Sequence, residues 1–301
     1  MSIYVETKID CAMDEVWERT QNPALHERWD ARFTSIRYLP RTSESGPQRF
    51  LYATRIGFGV SIAGAGESVG NRTGAGGQRT SSLRFWSEDP RSLIRDGAGY
   101  WQYVPVDGRV RFITGYNYRT RFGEAGRVLD RLLFRPLLGW ATAWSFDRLR
   151  LWIEKEIDPA DSMRRSVIHV LCRLSIAFVW LYQGLVPKLI ARHADELAML
   201  ADAGISTGKI QVAVIIAGLS EVLLGTSVLV CFHRRWPLQL TLLLMAFATV
   251  GVAISSPQYL LAAFNPISLN LLFAVVSLIG LLVMKDLPSA RRCLRRRPEN
   301  E

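Results

Sequence analysis

Between residues 236 and 256 the chain reads WPLQLTLLLMAFATVGVAISS, a run without one charged side chain. A helix rising 1.5 Å per residue needs about 20 residues to cross a hydrocarbon core ~30 Å thick. A helix on the surface of a soluble bundle would instead carry a polar stripe every three or four residues, and this run carries none. Three further stretches have comparable length and character: 167–190, 210–232 and 267–284. The last has no charge, the second holds only Glu221, and the first has Arg173 near its start and Lys188 near its end. Four predicted spans exclude a purely soluble protein.

Charge is distributed accordingly. Of 37 Lys+Arg and 27 Asp+Glu, 23 and 19 lie in residues 1–160, leaving 14 and 8 for the remainder, most of them in short clusters. The net charge of +10 is therefore +4 from the first half and +6 from the second. The mean hydropathy of +0.11 averages a charged domain with a membrane-grade one. That composition excludes a disordered chain and a disulfide-dense secreted module. Cys11, Cys172, Cys231 and Cys293 form no paired spacing, and His26, His169, His193 and His233 are too scattered for a metal site. No metal and no cofactor motif is evident. The N-terminus, MSIYVETKID, alternates where a signal peptide would run continuously apolar.

Orientation follows from where Lys and Arg collect. Arg164 and Arg165 precede the first span, His233, Arg234 and Arg235 separate the second from the third, and Lys285, Arg291, Arg292, Arg295, Arg296 and Arg297 follow the fourth. An even number of spans with basic ends predicts both termini, and the first half with them, on the cytoplasmic face of a bacterial-type inner membrane. The basic segment 287–301 reads as a cytoplasmic tail, a topology signal touching anionic lipid; read as a nucleic-acid patch it would not need to adjoin a span. No nucleic-acid partner is expected.

An ionisable group at mid-span costs ~2.5 kcal/mol or more and faces a partner or a cavity. Glu221 lies in the middle of the second span, with Gly218 and Gly225 on its face, so a neighbouring helix can approach closely there. On the first span Arg173, Ala177, Trp180, Gly184 and Lys188 share a stripe flanked by Gln183. Arg173, Gln183, Lys188, Glu221 and Asn270 together make a candidate intramembrane polar seam, which Ser277 could join. Arg173 and Lys188 lie on the order of 10 Å along the axis from Glu221's depth, which favours Gln183 or Tyr182 as its nearer hydrogen-bond partner. Glu221 reads either as a proton- or ligand-binding group or as a packing contact.

The first half has a different grammar. Residues 2–10 alternate as a strand, and Asp14–Arg19 and Ala24–Trp29 read as short helices, the second opened by Asn22 and Pro23. Short strands follow at about 34–39, 48–56, 60–69, 79–87, 92–104 and 109–120, then a helical stretch over 125–157 that Pro136 should kink or restart. This order predicts an α+β domain over 1–158 in which a curved antiparallel sheet grips a long C-terminal helix and encloses a cavity. The candidate lining residues are Trp86, Trp101, Tyr116, Trp140 and Trp144. For Trp140 and Trp144 the sequence supports two readings, a core helix packed on the sheet or a cavity mouth near the membrane interface. The connection DPADSMRR is only eight residues, which keeps the cup close to the bilayer. Gly64, Gly66 and Gly70 in GAGESVG mimic a dinucleotide loop, but no βαβ unit accompanies them, so they read as strand and hairpin glycines. No nucleophile with an adjacent base is evident, so sequence chemistry for a covalent mechanism is absent, and whether any reaction is catalysed stays open.

By its element order, its opening IYVETKIDCAMDEVWERTQNPALHERWD and its closing helix, the first ~155 residues resemble the START-like, Bet v 1 or polyketide-cyclase-like (SRPBCC) superfamily. The last ~120, through RLSIAFVWLYQGLVPKLI, GLSEVLLG and FNPISLNLL, resemble the DoxX-like four-helix membrane proteins, here over residues 165–286. The first resemblance implies a helix-grip cup for a hydrophobic small molecule such as a lipid. The second implies an all-α four-helix transmembrane bundle in which Lys188, Glu221 and Asn270 fall within matching motifs. Some DoxX relatives are linked to thiosulfate:quinone oxidoreduction or membrane redox complexes. The leading expectation is thus an integral inner-membrane protein whose cytoplasmic cup binds a lipid-like molecule beside the bilayer. The alternatives are a membrane subunit of a quinone-linked redox complex with redox partner proteins, or a small transporter using Glu221. Glycine-lined faces leave a homodimer open.

Overall fold

In the computed structural model, which describes residues 2–41, 43, 46–57, 59–263 and 265–298, the chain forms two units. One comprises the described residues up to Ser162 together with those from Pro288 on, and the other runs Met163–Leu287.

The first unit is the helix-grip cup. Strand β1 (Ile3–Ile9) is followed by helices α1 (Met13–Gln21) and α2 (Pro23–Trp29), then β2 (Ser35–Tyr38), β3 (Arg49–Gly57), β4 (Val60–Thr73), β5 (Arg79–Trp86), β6 (Ile94–Val106) and β7 (Arg109–Thr120). All pair antiparallel in the order β1-β7-β6-β5-β4-β3-β2. Asn22 caps α2 as its sequence suggests, its Oδ1 accepting from the Ala24 amide at 3.1 Å. Helix α3 (Gly123–Leu129) passes through a π-helical turn, Asp130–Phe134, into α4 (Arg135–Lys155), with Pro136 in the first turn where a missing N–H costs nothing.

The face of α4 bearing Ala143, Phe146, Leu149 and Ile153 packs on β1, β6 and β7. Phe146 stacks on Phe112 at 4.4 Å, Phe112 on Tyr103 at 5.0 Å, and Trp29 meets both Phe112 and Phe146 edge-on. Each fully buried ring of this kind contributes about 1.5–3 kcal/mol through burial. Arg148, also buried, donates to the carbonyls of Arg28, Trp29 and Pro159, satisfying the end of α2. Burial pushes its guanidinium down to about 10.

Two expectations about the chain's connections are corrected. The eight residues 158–165 are not a linker: α5 starts at Pro159 and continues helically to Gln183 and through a π-helical segment to Ile190. Nor is the segment after the fourth span simply a tail on lipid. The Ser289 amide donates to Asp147 Oδ2 at 2.7 Å, the Cys293 thiol to the Ala143 carbonyl at 3.2 Å, and Glu6 and Leu294 exchange two backbone hydrogen bonds of 2.9 Å. Ala290 and Cys293 are part of the cup core, and burial pushes the Cys293 thiol up to about 12. The segment shields part of the free edge of β1, an unpaired row of amides that proteins commonly cover. The arginines around it remain exposed.

The second unit holds four helices long and apolar enough to cross a membrane: α5 with its π segment (Pro159–Ile190), α7 (Thr207–Val230), α8 (Trp236–Ser255) and α9 (Pro266–Val283). A short helix, α6 (Ala194–Asp202), lies between the first two. Ile176, Trp180, Leu224, Val228, Leu238 and Phe273 form the interior, with the Trp180 indole donating to Thr241 Oγ1 at 3.0 Å. Outside, Phe178, Leu223, Phe247, Ile254 and Leu282 are each about two-thirds exposed or more. Such an apolar exterior is what a bilayer solvates. Helices α5 and α7 touch through glycine: a Cβ on Gly184 would lie 2.6 Å from the Gly218 carbonyl oxygen.

Candidate ligand-binding cavity

Inside the cup lies a cavity of about 770 Å³, within the size range of small-molecule sites. Its walls come from the inner faces of β2–β7, the α2–β2 connection and the first turns of α4. Three of its rings are placed by glycines. Across paired strands Phe50 faces Gly66, Tyr52 faces Gly64 and Phe85 faces Gly97. A Cβ at these glycines would come within 2.2–2.5 Å of the opposing ring. The rings therefore lie down over the neighbouring strand and leave the middle of the cup empty. This is the structural use of the GAGESVG run, whose Gly64 and Gly66 sit inside β4. The apolar wall continues outward at Leu129 and Leu137, which line the cavity and are 50% and 54% exposed.

Of the candidate lining residues, Trp101 and Tyr116 lie in the cavity wall, and Trp86, Trp140 and Trp144 do not. On β5 the alternate residues Ser81, Leu83 and Phe85 face inward, so the strand's period of two turns Trp86 to the opposite face. On α4 the cavity-facing positions are Leu137, Leu138 and Ala141. Trp140 and Trp144 stack on each other at 6.2 Å instead, with the Arg148 guanidinium 5.0 Å from the Trp144 ring.

At one end the cavity has a polar pole that residue-by-residue reading missed. Arg32, just beyond α2, donates from Nε and Nη2 to the two oxygens of Asp30, at 2.8 and 2.6 Å. Asp30 is fully buried and also accepts from the Arg32 amide and bonds His26 Nε2 at 3.0 Å. Burial alone would raise the Asp30 carboxyl, but the charge and hydrogen bonds of Arg32, with His26 beside it, hold it well below the usual carboxylate range. Arg32 Nη1 reaches the Tyr116 hydroxyl at 3.5 Å; that hydroxyl lies 2.8 Å from Thr142 Oγ1, which itself donates to the Leu138 carbonyl. Thr142 must therefore accept from Tyr116, and Tyr116 from Arg32. Burial pushes the Tyr116 phenol up, keeping its proton on. The detectable signal was HERWDAR, with His26 and Asp30 four apart on a helix and Arg32 two further on.

In the membrane unit the expected polar seam is three separate contacts. Arg173 is wholly buried and donates to the carbonyls of Val228, Cys231 and Arg234, capping the C-terminal end of α7. Asn270 Nδ2 donates to Thr249 Oγ1 at 3.1 Å, joining α9 to α8. Lys188, not Gln183 or Tyr182, is the partner of Glu221: its Nζ lies 3.2 Å from Glu221 Oε1 and 3.0 Å from Glu196 Oε1. The π-helical segment and the Gly184–Gly218 approach bring the end of α5 against the middle of α7, which even helical rise could not foresee. Gln183 takes no part in these contacts, and Ser277 bonds within its own helix, to Phe273. Glu221 Oε2 is buried without a hydrogen-bond partner.

Comparison with known proteins agrees with this division. The chain is 39% identical over 298 residues to the uncharacterized membrane protein YndG of Bacillus subtilis (strain 168), covering 98% of this chain and 97% of that one. The chain belongs to that family of membrane proteins. Residues 177–278 match the model of the DoxX-like family, so its membrane unit is DoxX-like. Solved structures resembling the first half include the hypothetical protein jhp0584 of Helicobacter pylori, at 16% identity over 51% of this chain and 88% of that one, with a TM-score of 0.40. A STAR-related lipid transfer protein from Xanthomonas axonopodis matches at 15% identity over 50% and 85%, TM-score 0.38, and the Zhui aromatase/cyclase from Streptomyces sp. R1128 at 14% over 46% and 87%, TM-score 0.36. The helix-grip fold itself is carried by the strand order and by the helix α4 across the sheet.

Proposed function

We propose that this membrane protein uses its cup to hold a lipid-like small molecule that exchanges with the bilayer, with the cup and both termini on the cytoplasmic face. The observation that carries this reading is the aromatic-walled cavity of about 770 Å³ whose apolar lining reaches the outer surface at Leu129 and Leu137. Burying apolar ligand surface there gains roughly 25 cal/mol per Å². The side is supported by the basic residues at the cytoplasm-assigned ends of the spans. A shared side for the two ends is supported by the hydrogen bonding of the C-terminal segment into the cup.

Native mass spectrometry of the intact protein in mild detergent tests the reading. The expected result is a co-purifying apolar adduct that is lost when Ala141→Phe fills the cavity. Bare protein in both forms, with no apolar probe able to bind, would sink it.

One observation favours a second, membrane-centred role. Lys188 is held between Glu221 and Glu196 while Glu221 Oε2 has no partner, a polar group open to a proton or a ligand. A role in proton handling or transport predicts that Glu221→Gln abolishes activity with assembly unchanged.

A further inference from the structure

The charged side chains lining the cavity are Arg32, Arg41 and Arg91, with no carboxylate among the described lining residues. Asp30 and Asp89, which pair with Arg32 and Arg91, stand behind them. The charged donors that reach the wall are cationic, while the carboxylates that balance Arg32 and Arg91 lie outside the lining, so an anionic ligand meets donors there that a cationic one does not. The three are not equivalent. Arg91 is 60% exposed, but Arg32 is 12% exposed, and its Nε–Nη2 edge is locked on Asp30. Its remaining terminal nitrogen, Nη1, makes only the long 3.5 Å contact to Tyr116 among the described residues, and the Tyr116 proton is committed to Thr142. The pole therefore offers a fixed donor and asks for an acceptor. Because Asp30 keeps the guanidinium from reorienting, little side-chain entropy is lost when a ligand arrives.

Resting on the reading of the cup as a lipid-like binding site, we propose that its ligand is an amphiphile with an anionic head, of which a long-chain carboxylate is the simplest, bound head-first at Arg32 with its tail along the Phe50, Tyr52 and Phe85 wall. Asp30 is then a positioning residue and Arg32 the contact. A charge-assisted hydrogen bond distinguishes the anion from its neutral ester by about tenfold in affinity.

The test uses the full chain in phosphatidylcholine nanodiscs and three photo-crosslinking probes with the same sixteen-carbon diazirine tail: a carboxylate, its methyl ester and a trimethylammonium. Labelled peptides are mapped by mass spectrometry. The expected result is labelling of cavity-wall peptides in the order carboxylate, ester, ammonium. In the double variant Asp30→Asn/Arg32→Gln the carboxylate falls to the level of the ester, while persistent ester labelling reports an intact cup. Should that variant lose ester labelling, Arg32→Lys decides: its ammonium keeps the Asp30 pair but leaves no second terminal nitrogen for the ligand head, and a lowered carboxylate-to-ester ratio is expected. Equal labelling by carboxylate and ester in the parent, or a ratio that neither variant changes, overturns the anionic head and leaves the cup reading standing. If no probe reaches the cavity wall, the cup reading itself fails and this inference with it.

Discussion

Arg173 of the membrane unit and Arg32 of the cup are held in opposite ways. Arg173 in the membrane unit spends its guanidinium on His169 and on backbone carbonyls at and just beyond the end of α7, and faces no carboxylate among the described residues. Arg32 in the cup is neutralised along one edge by Asp30 and keeps only the long Tyr116 contact at Nη1, beside the cavity. A buried charge whose donors are consumed by neighbouring scaffold groups is part of the scaffold; one clamped on a carboxylate with a weakly engaged donor is a site. Lys188 stands between these cases, since its two carboxylate partners leave Glu221 Oε2 unsatisfied among the described residues.

The largest effect is expected where the scaffold cation is removed. Arg173→Leu strands the buried Val228 carbonyl and the part-buried carbonyls of Cys231 and Arg234, at about 1–3 kcal/mol for a fully buried one, so the intact protein should lose on the order of 4 kcal/mol, read as a lower thermal midpoint, with probe labelling of the cup wall unchanged in whatever remains folded. An unchanged midpoint would erase the contrast drawn above.

Asp30→Asn should cost about 3 kcal/mol, because it leaves the Arg32 charge buried without its partner. Because the folded-state carboxyl is lowered, Asp30's contribution is fully present above the unfolded value of about 3.9 and is lost as pH falls below it through the lowered folded value. The parent should therefore lose stability on acidification below about pH 4, and the Asn variant should be flatter there. A pH titration of the thermal midpoint checks both.

Deleting residues from 288 on removes Ala290 and Cys293 from the cup core and the Ser289–Asp147 hydrogen bond. A loss of about 2 kcal/mol is expected, together with faster hydrogen exchange along β1. Unaltered exchange at β1 would return the segment to the status of a lipid-facing tail.

Gly97→Val would press on Phe85, whose ring lies 2.5 Å from a Cβ at that position. The expected outcome is about 1–2 kcal/mol of strain and weaker binding of apolar probes. Smallest is Glu221→Gln, within about 1 kcal/mol of the parent in stability because Lys188 keeps Glu196. A larger loss would make Glu221 a packing residue.

Much of the architecture was legible in the chain because it rests on short-range rules. The spans follow from uninterrupted apolar length, β7 from the alternation of Val110, Phe112, Thr114 and Tyr116, and the restart of α4 from Pro136. Errors concentrated where a side chain's direction mattered. Trp86 looked like cavity lining by type but has the wrong parity on β5, and Trp140 and Trp144 lie beside the cavity-facing row of α4.

By itself the sequence determined a four-span membrane unit, an α+β domain ahead of it and the kinds of residue each would bury, since hydropathy and period are properties of consecutive residues. Only the tertiary structure decided which groups meet. The Arg32 pole needs α2, β7 and α4 around one point, Lys188 reaches Glu221 through a π-helical segment, and the C-terminal segment finds β1 from the far end of the chain. Those contacts join residues as much as 288 positions apart, Glu6 to Leu294, and no local pattern encodes a partner at such a distance.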